Sequence, residues 1–498
     1  MPTSSENATT PFTRPLPANA SLENLRKQAK SLLKSVSTND PAALAEFASQ
    51  NLIGSSSRTY LLSEAQLVIA RRYGFASWPR LKSHLDVVGH YSTWPNALKL
   101  ADESPSIVDR FISLACLNYG TDHISRREKA RELYVSNPSI SGENIFAAAT
   151  VGDHITITRL LREDPSLSKA RGGPHHWEAL LYATYSRFKS PRSEDSTLEA
   201  ARLLLDHGAD PNAGFLWDGT YLFTALTGVF GEGERGQLHQ PQHQYCKKLA
   251  RLLLQAGADP NDSQTLYNRM FTGGTSHLEL LFEFGLGKRT DGVWYKRLGD
   301  RLISPEEMVR QQVAWAAKYC QWERMRFLIK KGADLNGLDA RFSKPPYELA
   351  LLGGHTEMAE FLVASGATRT HLSDLDAFTA ACLSADSETA EALLREQPEI
   401  MDQLGSRRAE LLNLAAESDK REAIKLMHKL GFDLNERKRT VALHSAAMSG
   451  NVEMARLLIQ LGANPLIKDE EFDATPLGWA EFGQKTAVAD YLRQFKEE

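Results

Sequence analysis

The stretch LLLDHGADPN (Leu203–Asn212) returns almost letter for letter as LLLQAGADPN (Leu252–Asn261). Taking Gly208 as a ruler mark, Leu198, Ala201, Leu204 and Leu205 stand ten, seven, four and three positions before it, on one face of an α-helix. Gly257 is preceded in the same register by Ala250, Leu253 and Leu254, Gly332 by Trp322, Met325, Leu328 and Ile329, and Gly462 by Val452, Ala455, Leu458 and Ile459. Gly366 has Ala359, Leu362 and Val363, Gly285 has Leu278, Leu281 and Phe282, and Gly431 has Ile424 and Met427. The unit is therefore a helix with one apolar stripe, closed by a glycine that enters the left-handed region without a Cβ penalty. The residues that follow (GADPN, GADLN, GFDLN) suit a turn, and Ser196-Thr-Leu-Glu199 reads as a capping box at the helix start.

A second helix precedes the first. Gly450 closes TVALHSAAMSG and Gly354 closes KPPYELALLGG, each twelve positions before the next mark. The small residues Ala446, Ala447 and Ala350 let the paired helices approach closely, and ATPLGWAEFG (Ala474–Gly483) opens one more pair. Asn137-Pro138, Asp164-Pro165 and Gln397-Pro398 are weaker marks, with a polar residue before proline in place of glycine. The marks at 137, 164, 208, 257, 285, 332, 366, 397, 431 and 462 are spaced by 27, 44, 49, 28, 47, 34, 31, 34 and 31 residues. The last four spacings match a helix–turn–helix repeat of ~33 residues.

ALHSAAMSGNVEMARLLIQLGANP, ATPLGWAEFG and the two LLL..GADPN stretches make this chain resemble an ankyrin repeat array over roughly residues 103–498. The resemblance implies an all-α solenoid of about eleven helix pairs whose neighbours stack to form a continuous core. His444 takes the histidine place of the family's TPLH turn, which implies hydrogen bonding within the turn. Residues 21–95 do not fit the register. SLENLRKQAKSLLKSV, DPAALAEFASQ and LSEAQLVIARRYGFASWPRLKSHLDVV read as amphipathic helices of a small N-terminal domain. This segment, with ARGGPHHWEALLYATYSRF (Ala170–Phe188), resembles a group of bacterial ankyrin repeat proteins. Residues 1–20 are rich in Pro, Ser, Thr and Asn and read as a disordered tail.

The 498 residues carry a net charge of −4, which supplies no global field for nucleic acid or anionic membranes. Residues 1–95 alone hold ten Lys/Arg against six Asp/Glu, a balance of +4. The four cysteines (Cys116, Cys246, Cys320, Cys382) form no CxxC pair, so reduced thiols and a cytoplasmic location are expected. No apolar run is long enough to span a membrane, and the first twenty residues do not read as a signal peptide.

No phosphate loop, HExxH, GxSxG or paired CxxC is present. GEGERG (Gly231–Gly236) has spaced glycines without a preceding strand and reads as a flexible insertion. His239, His243 and Cys246 could supply three zinc ligands, but a fourth is not evident. His175-His176 reads as a polar turn. Arg71, Arg72, Arg80 and Lys82 around Phe75 have a helix-turn-helix flavour, although Pro79 sits awkwardly in a recognition helix. No acid/base spacing stands out, so no enzyme, metal or cofactor is expected.

The three long spacings place insertions near 186–197, 230–244 and 286–304. Loops of that length in a compact array are functional or disordered. Aromatics and arginines gather about them, the residue types that dominate binding hot spots. Trp177, Tyr185, Arg187, Trp217, Tyr221, Phe230, Trp294, Tyr295 and Arg297 are the candidate contacts for an unidentified protein partner, with Tyr182 and Phe223 read alternatively as core. The reading is a non-catalytic interaction scaffold, binding through the concave face and loops of the middle repeats. Nucleic-acid contact by the basic N-terminal module and an enzyme site in the insertions are the alternatives.

Overall fold

The computed structural model describes residues 13–17, 20–52, 59–288 and 291–495. Most of the tail expected at 1–20 lies outside them, as do two residues of the 286–304 insertion. The fold is all-α, with short strands only, and divides into two compact units, 1–309 and 310–498.

The glycine ruler is a geometric fact. Gly208, Gly257, Gly285, Gly332, Gly366, Gly431 and Gly462 all have positive φ, between +75° and +106°. At each, two backbone hydrogen bonds close the helix in a Schellman pattern. Gly208 N donates to Leu205 O at 2.8 Å and Ala209 N to Leu204 O at 3.0 Å. The same pair of bonds recurs from Gly257 and Ala258 to Leu254 and Leu253, and from Gly462 and Ala463 to Ile459 and Leu458. The proline-linked marks behave differently. Asn137, Asp164 and Gln397 have φ of −140°, −144° and −134°, and short helical turns follow (Pro138–Gly142, Pro165–Ser168, Ile400–Leu404).

The Asp and Asn of the repeated motif have separate work. Asp210, Asp259, Asp334 and Asp433 each accept, through Oδ1, the backbone N–H two residues on, at 2.8–2.9 Å. That N–H belongs to the motif's asparagine, whose side chain reaches the next unit. Asn212, Asn336 and Asn435 donate to the carbonyls of Gly257, Gly366 and Gly462 at 3.0, 3.3 and 3.2 Å. Their amide oxygens accept from Asp259, Thr368 and Asn464 N–H. Asn261 does the same with Gly287 N and Lys288 O. The motif is thus a backbone terminator joined to an inter-repeat clasp.

In the first unit, the helices Leu22–Ser37, Pro41–Ser49, Leu62–Arg72 and Trp78–Tyr91 enclose their own core, including Leu25, Ala29, Phe47, Ile69 and Leu81. Ser21, Asp40 and Ser77 cap three of them through their side chains. Pro79 falls in the first turn of its helix, where its missing N–H costs nothing. Helix pairs then follow from Ile107–Ala115 with Ile124–Ser136 onward. The helix Glu194–Asp206 starts earlier than its sequence suggested, because Ser193 caps it by accepting from Ser196 N at 3.2 Å. Its stripe is Ala200, Ala201 and Leu204, all fully buried.

Sequence periodicity did not disclose a hairpin. Gly214–Trp217 pairs antiparallel with Tyr221–Thr224, and Ser92–Thr93 adds a third, parallel strand. These residues lie between two clear helices, and their aromatic alternation was masked by the Asp218-Gly219 turn.

The second unit holds the regular pairs, from Pro346–Leu352 with Thr356–Ala364 to Pro476–Phe482 with Thr486–Leu492. Its core includes Phe378, Ile424, Met427, Leu443, Leu458 and Val488. Ala350, Ala446 and Ala447 are fully buried between helices, as their size implied. His444 Nδ1 accepts from Val441 N at 3.4 Å, and Nε2 meets Ala474 O at 3.0 Å, tying one turn to the next.

Candidate functional site

The insertions of the first unit turn inward, and this corrects most of the expected partner contacts. Trp177 is fully buried, stacked on Phe215 at 4.5 Å, with its Nε1 donating to Thr93 Oγ1 at 3.2 Å. Tyr185 is fully buried and donates from its hydroxyl to Thr224 O at 2.8 Å. Tyr182 and Phe223 are core as well. Phe230 is buried in the helix Ala225–Phe230. Arg187 is buried and, among the described residues, pairs with no carboxylate; its guanidinium donates to the carbonyls of Thr184, Ser186, Gly228 and Pro241 at 2.5–3.1 Å. It is a staple between the first two insertions. The physical reason is common to all six: an insertion that widens the gap between helix pairs must be filled, and large side chains fill it.

The third insertion folds onto the protein's own N-terminal helices. Trp294 is only 5 % exposed, meets Tyr91 edge-on at 5.0 Å, and donates from Nε1 to Asn212 O at 2.8 Å. Arg297 lies over both the Tyr91 and Trp294 rings at 4.7 Å. Arg301 covers Phe75 at 4.2 Å and donates to Tyr73 O at 2.7 Å. Tyr295, half-buried, donates to Ile303 O at 2.8 Å. Trp294, Tyr295 and Arg297 are thus committed to intramolecular contacts.

GEGERG is an ordered element. Glu232 is 1 % exposed and forms an ion pair with the buried Arg269. Gln237 and Gln242 donate to its carboxylate at 2.9 and 2.8 Å, and Thr272 at 3.2 Å. The glycines allow the chain to wrap this buried charge, with φ of +58° at Gly231 and +132° at Gly233.

Trp217 and Tyr221 remain half-exposed, at the end of the hairpin. They form one wall of a cleft whose other lining includes Phe223, Tyr267, Tyr119 and Asn268. The cleft is held from beneath. Trp217 Nε1 donates to Asn118 O at 3.2 Å. The loop that carries Tyr119 is fixed by Asp122, which accepts from Asn118 N at 3.0 Å and Tyr119 N at 2.9 Å. Arg126 pairs with Asp122 at 3.0 Å and with Asp102 at 2.7 Å, and Gln240 donates to Asp122 at 3.0 Å. This support leaves Tyr119 at φ +58°, a strained setting for an aromatic residue.

Two buried polar groups meet in the cleft. Asn268 is 2 % exposed; its Oδ1 accepts from Gln264, but its Nδ2 lies buried without a well-formed hydrogen bond. The Tyr119 hydroxyl is buried next to it, and the Asn268 side chain interacts with that hydroxyl. Burial raises the Tyr119 phenol well above its ordinary range, so it stays protonated. An aromatic-walled cleft with an amide and a neutral hydroxyl paired at its base suits an apolar side chain that carries a polar group. Sequence reasoning missed Tyr119 and Asn268, since neither is near an insertion; the Asn118-Tyr-Gly turn was the available signal.

The other candidates are dispersed. His239 and His243 are buried, His239 stacks on His123 at 5.0 Å, and burial pushes the Cys246 thiol up to about 12. Among the described residues, no three His, Cys, Asp or Glu side chains converge as a metal site. His175 is buried against Trp177 and Tyr182, and burial, with Arg126 nearby, pulls it down to about 3. In the N-terminal module, Arg72 pairs with Glu46 through two bonds of 2.7 Å and Arg71 donates to Gln50 O at 3.2 Å, while Arg80 and Lys82 are exposed.

The family model described as "Ankyrin repeats (3 copies)" matches residues 377–469 and 412–494, in the second unit. Ankyrin repeats are present in the C-terminal region, where the spacings are most even. No described helix is long and apolar enough to cross a membrane.

Proposed function

We propose that this chain is a non-catalytic scaffold that binds a protein partner, and that the Trp217–Tyr221 cleft takes a side chain of that partner. Ankyrin repeats are in general protein–protein interaction modules, which supports the coarser half of the reading. The single observation behind the finer half is that two partly exposed aromatics share one cleft. Of the aromatic residues gathered at the insertions, most are consumed inside the fold; Trp217, Tyr221 and Tyr295 stay partly exposed, and of these Trp217 and Tyr221 stand together on one cleft with the buried Asn268. The Asn268 amide, held beside the Tyr119 hydroxyl, is placed to donate to a ligand acceptor at the base of the cleft. The occupant is an exposed loop or tail presenting an aromatic or aliphatic side chain with a carbonyl or hydroxyl group.

The test begins with affinity capture and then titration calorimetry of purified partner with full-length variants. Trp217→Ala and Asn268→Leu should each weaken binding by about tenfold or more while the melting transition stays cooperative. Binding that survives Trp217→Ala and Tyr221→Ala together would move the partner site elsewhere.

A further inference from the structure

Facing a different groove from this cleft, the first unit carries a cluster of cations that, among the described residues, form no ion pair. The groove is bounded by the helix Ile124–Ser136, the segment 186–189 and the segment 241–244. Its cavity volume is about 430 Å³, room for a short stretch of two or three extended peptide residues with the rest lying along the open side. Arg127, Arg131, Arg187 and Lys189 line it. Ile124, Phe188 and Pro241 supply apolar wall, and Glu128 is the one acid on its lining.

Elsewhere the exposed cations of this protein are commonly neutralised. Arg159 pairs with Glu163, Arg202 with Glu199, Arg251 with Glu283, Lys429 with Glu391. Among the described residues, none of the four groove cations has a carboxylate within 4.0 Å. Arg127 is instead tethered by carbonyls, donating to His239 O at 3.1 Å and Leu238 O at 2.8 Å. Burial lowers its pKa, with Asp122 and Glu128 opposing at longer range. Arg187 is fixed at the inner end by its carbonyl cage. Arg131 and Lys189 are exposed and, among the described residues, their side chains have no hydrogen-bond partner.

Like charges held together over apolar wall repel each other, and the partly desolvated setting strengthens any opposite charge that enters. A purely ionic ligand would leave Ile124, Phe188 and Pro241 uncovered. A nucleic acid would want a long basic stripe with stacking platforms rather than a short walled groove. We infer that this groove binds an acidic peptide segment, two or more carboxylates meeting Arg131, Lys189 and Arg127 while an interleaved apolar side chain packs on Ile124 and Phe188. The inference goes beyond the aromatic cleft and does not depend on it.

The probe is a fluorescein-labelled peptide of alternating Glu and Leu, followed by fluorescence anisotropy with the full chain. Binding is expected, falling with salt as charge pairing requires. Arg131→Glu with Lys189→Glu should weaken it at least tenfold; both sites are exposed, and an unchanged circular dichroism melt verifies the fold. Trp217→Ala should leave it unchanged, which separates this groove from the aromatic cleft. A peptide with Ser for Leu should bind several-fold more weakly. The proposal is overturned if the Glu-Leu peptide does not bind at millimolar protein, if the charge-reversed variant binds it equally, if a Lys-Leu peptide binds as well, or if a twelve-nucleotide single strand binds more tightly.

Discussion

Asn212 and Gly257 are joined across two repeats: the asparagine amide donates to the glycine carbonyl at 3.0 Å and accepts Asp259 N–H at 2.8 Å. The residue that ends one motif therefore reads the backbone of the next. Asn212→Ala should remove both bonds and destabilise the first unit by about 0.5–2 kcal/mol, measured by urea unfolding. Asn212→Asp retains the acceptor only and should fall between. A variant as stable as the parent would reduce the clasp to a by-product of helix termination.

Gly257 and Leu204 separate backbone from packing. A Cβ at Gly257 would meet nothing within 4 Å, yet its φ is +99°. Gly257→Ala should cost about 1 kcal/mol through backbone strain alone, and Gly257→Asn less. Leu204 is fully buried, so Leu204→Ala should cost about 2–5 kcal/mol. Equal costs for the two alanine variants would contradict this division.

The third insertion should behave as an intramolecular clamp. Arg301 lies over Phe75 at 4.2 Å. A double-mutant cycle of Arg301→Ala and Phe75→Leu should give a coupling of about 0.5–2 kcal/mol in thermal or denaturant unfolding. Strictly additive costs would mean that the insertion does not hold the N-terminal helices through this contact.

Glu178 gives the pH dependence a definite sign. Burial, with Asp210 adding repulsion, raises its carboxyl from 4.5 to about 7, against the opposing pull of Arg171 and Arg297. Between those values the folded state binds the proton that the unfolded state has released, so this group makes stability fall as pH rises from 4.5 to about 7. Glu178→Gln should flatten that decline in melting temperature across the same window. An unaltered profile would locate the decline in other groups.

The period and its punctuation are written in the local pattern of the chain. A Schellman glycine, an Asx turn and an apolar stripe are local demands, met within one or two turns of helix, so each leaves its residue types at fixed offsets. That is why the marks from Gly208 to Gly462 were legible, and why helix ends fell where glycine stood. Ser196 was misread as a cap because Ser193, three positions earlier, offers the same chemistry. The candidate site was legible only in part. Trp177, Trp217 and Trp294 are the same residue type beside similar insertions, and composition gave no means of ranking them. Tertiary structure decided that Trp177 packs on Phe215, that Trp294 docks on Tyr91, and that Trp217 is left half-exposed. Burial depends on which surfaces meet after each insertion folds back, through contacts as distant in sequence as Arg301 with Tyr73. Such long-range pairings impose no period on the chain, and so leave no pattern to read.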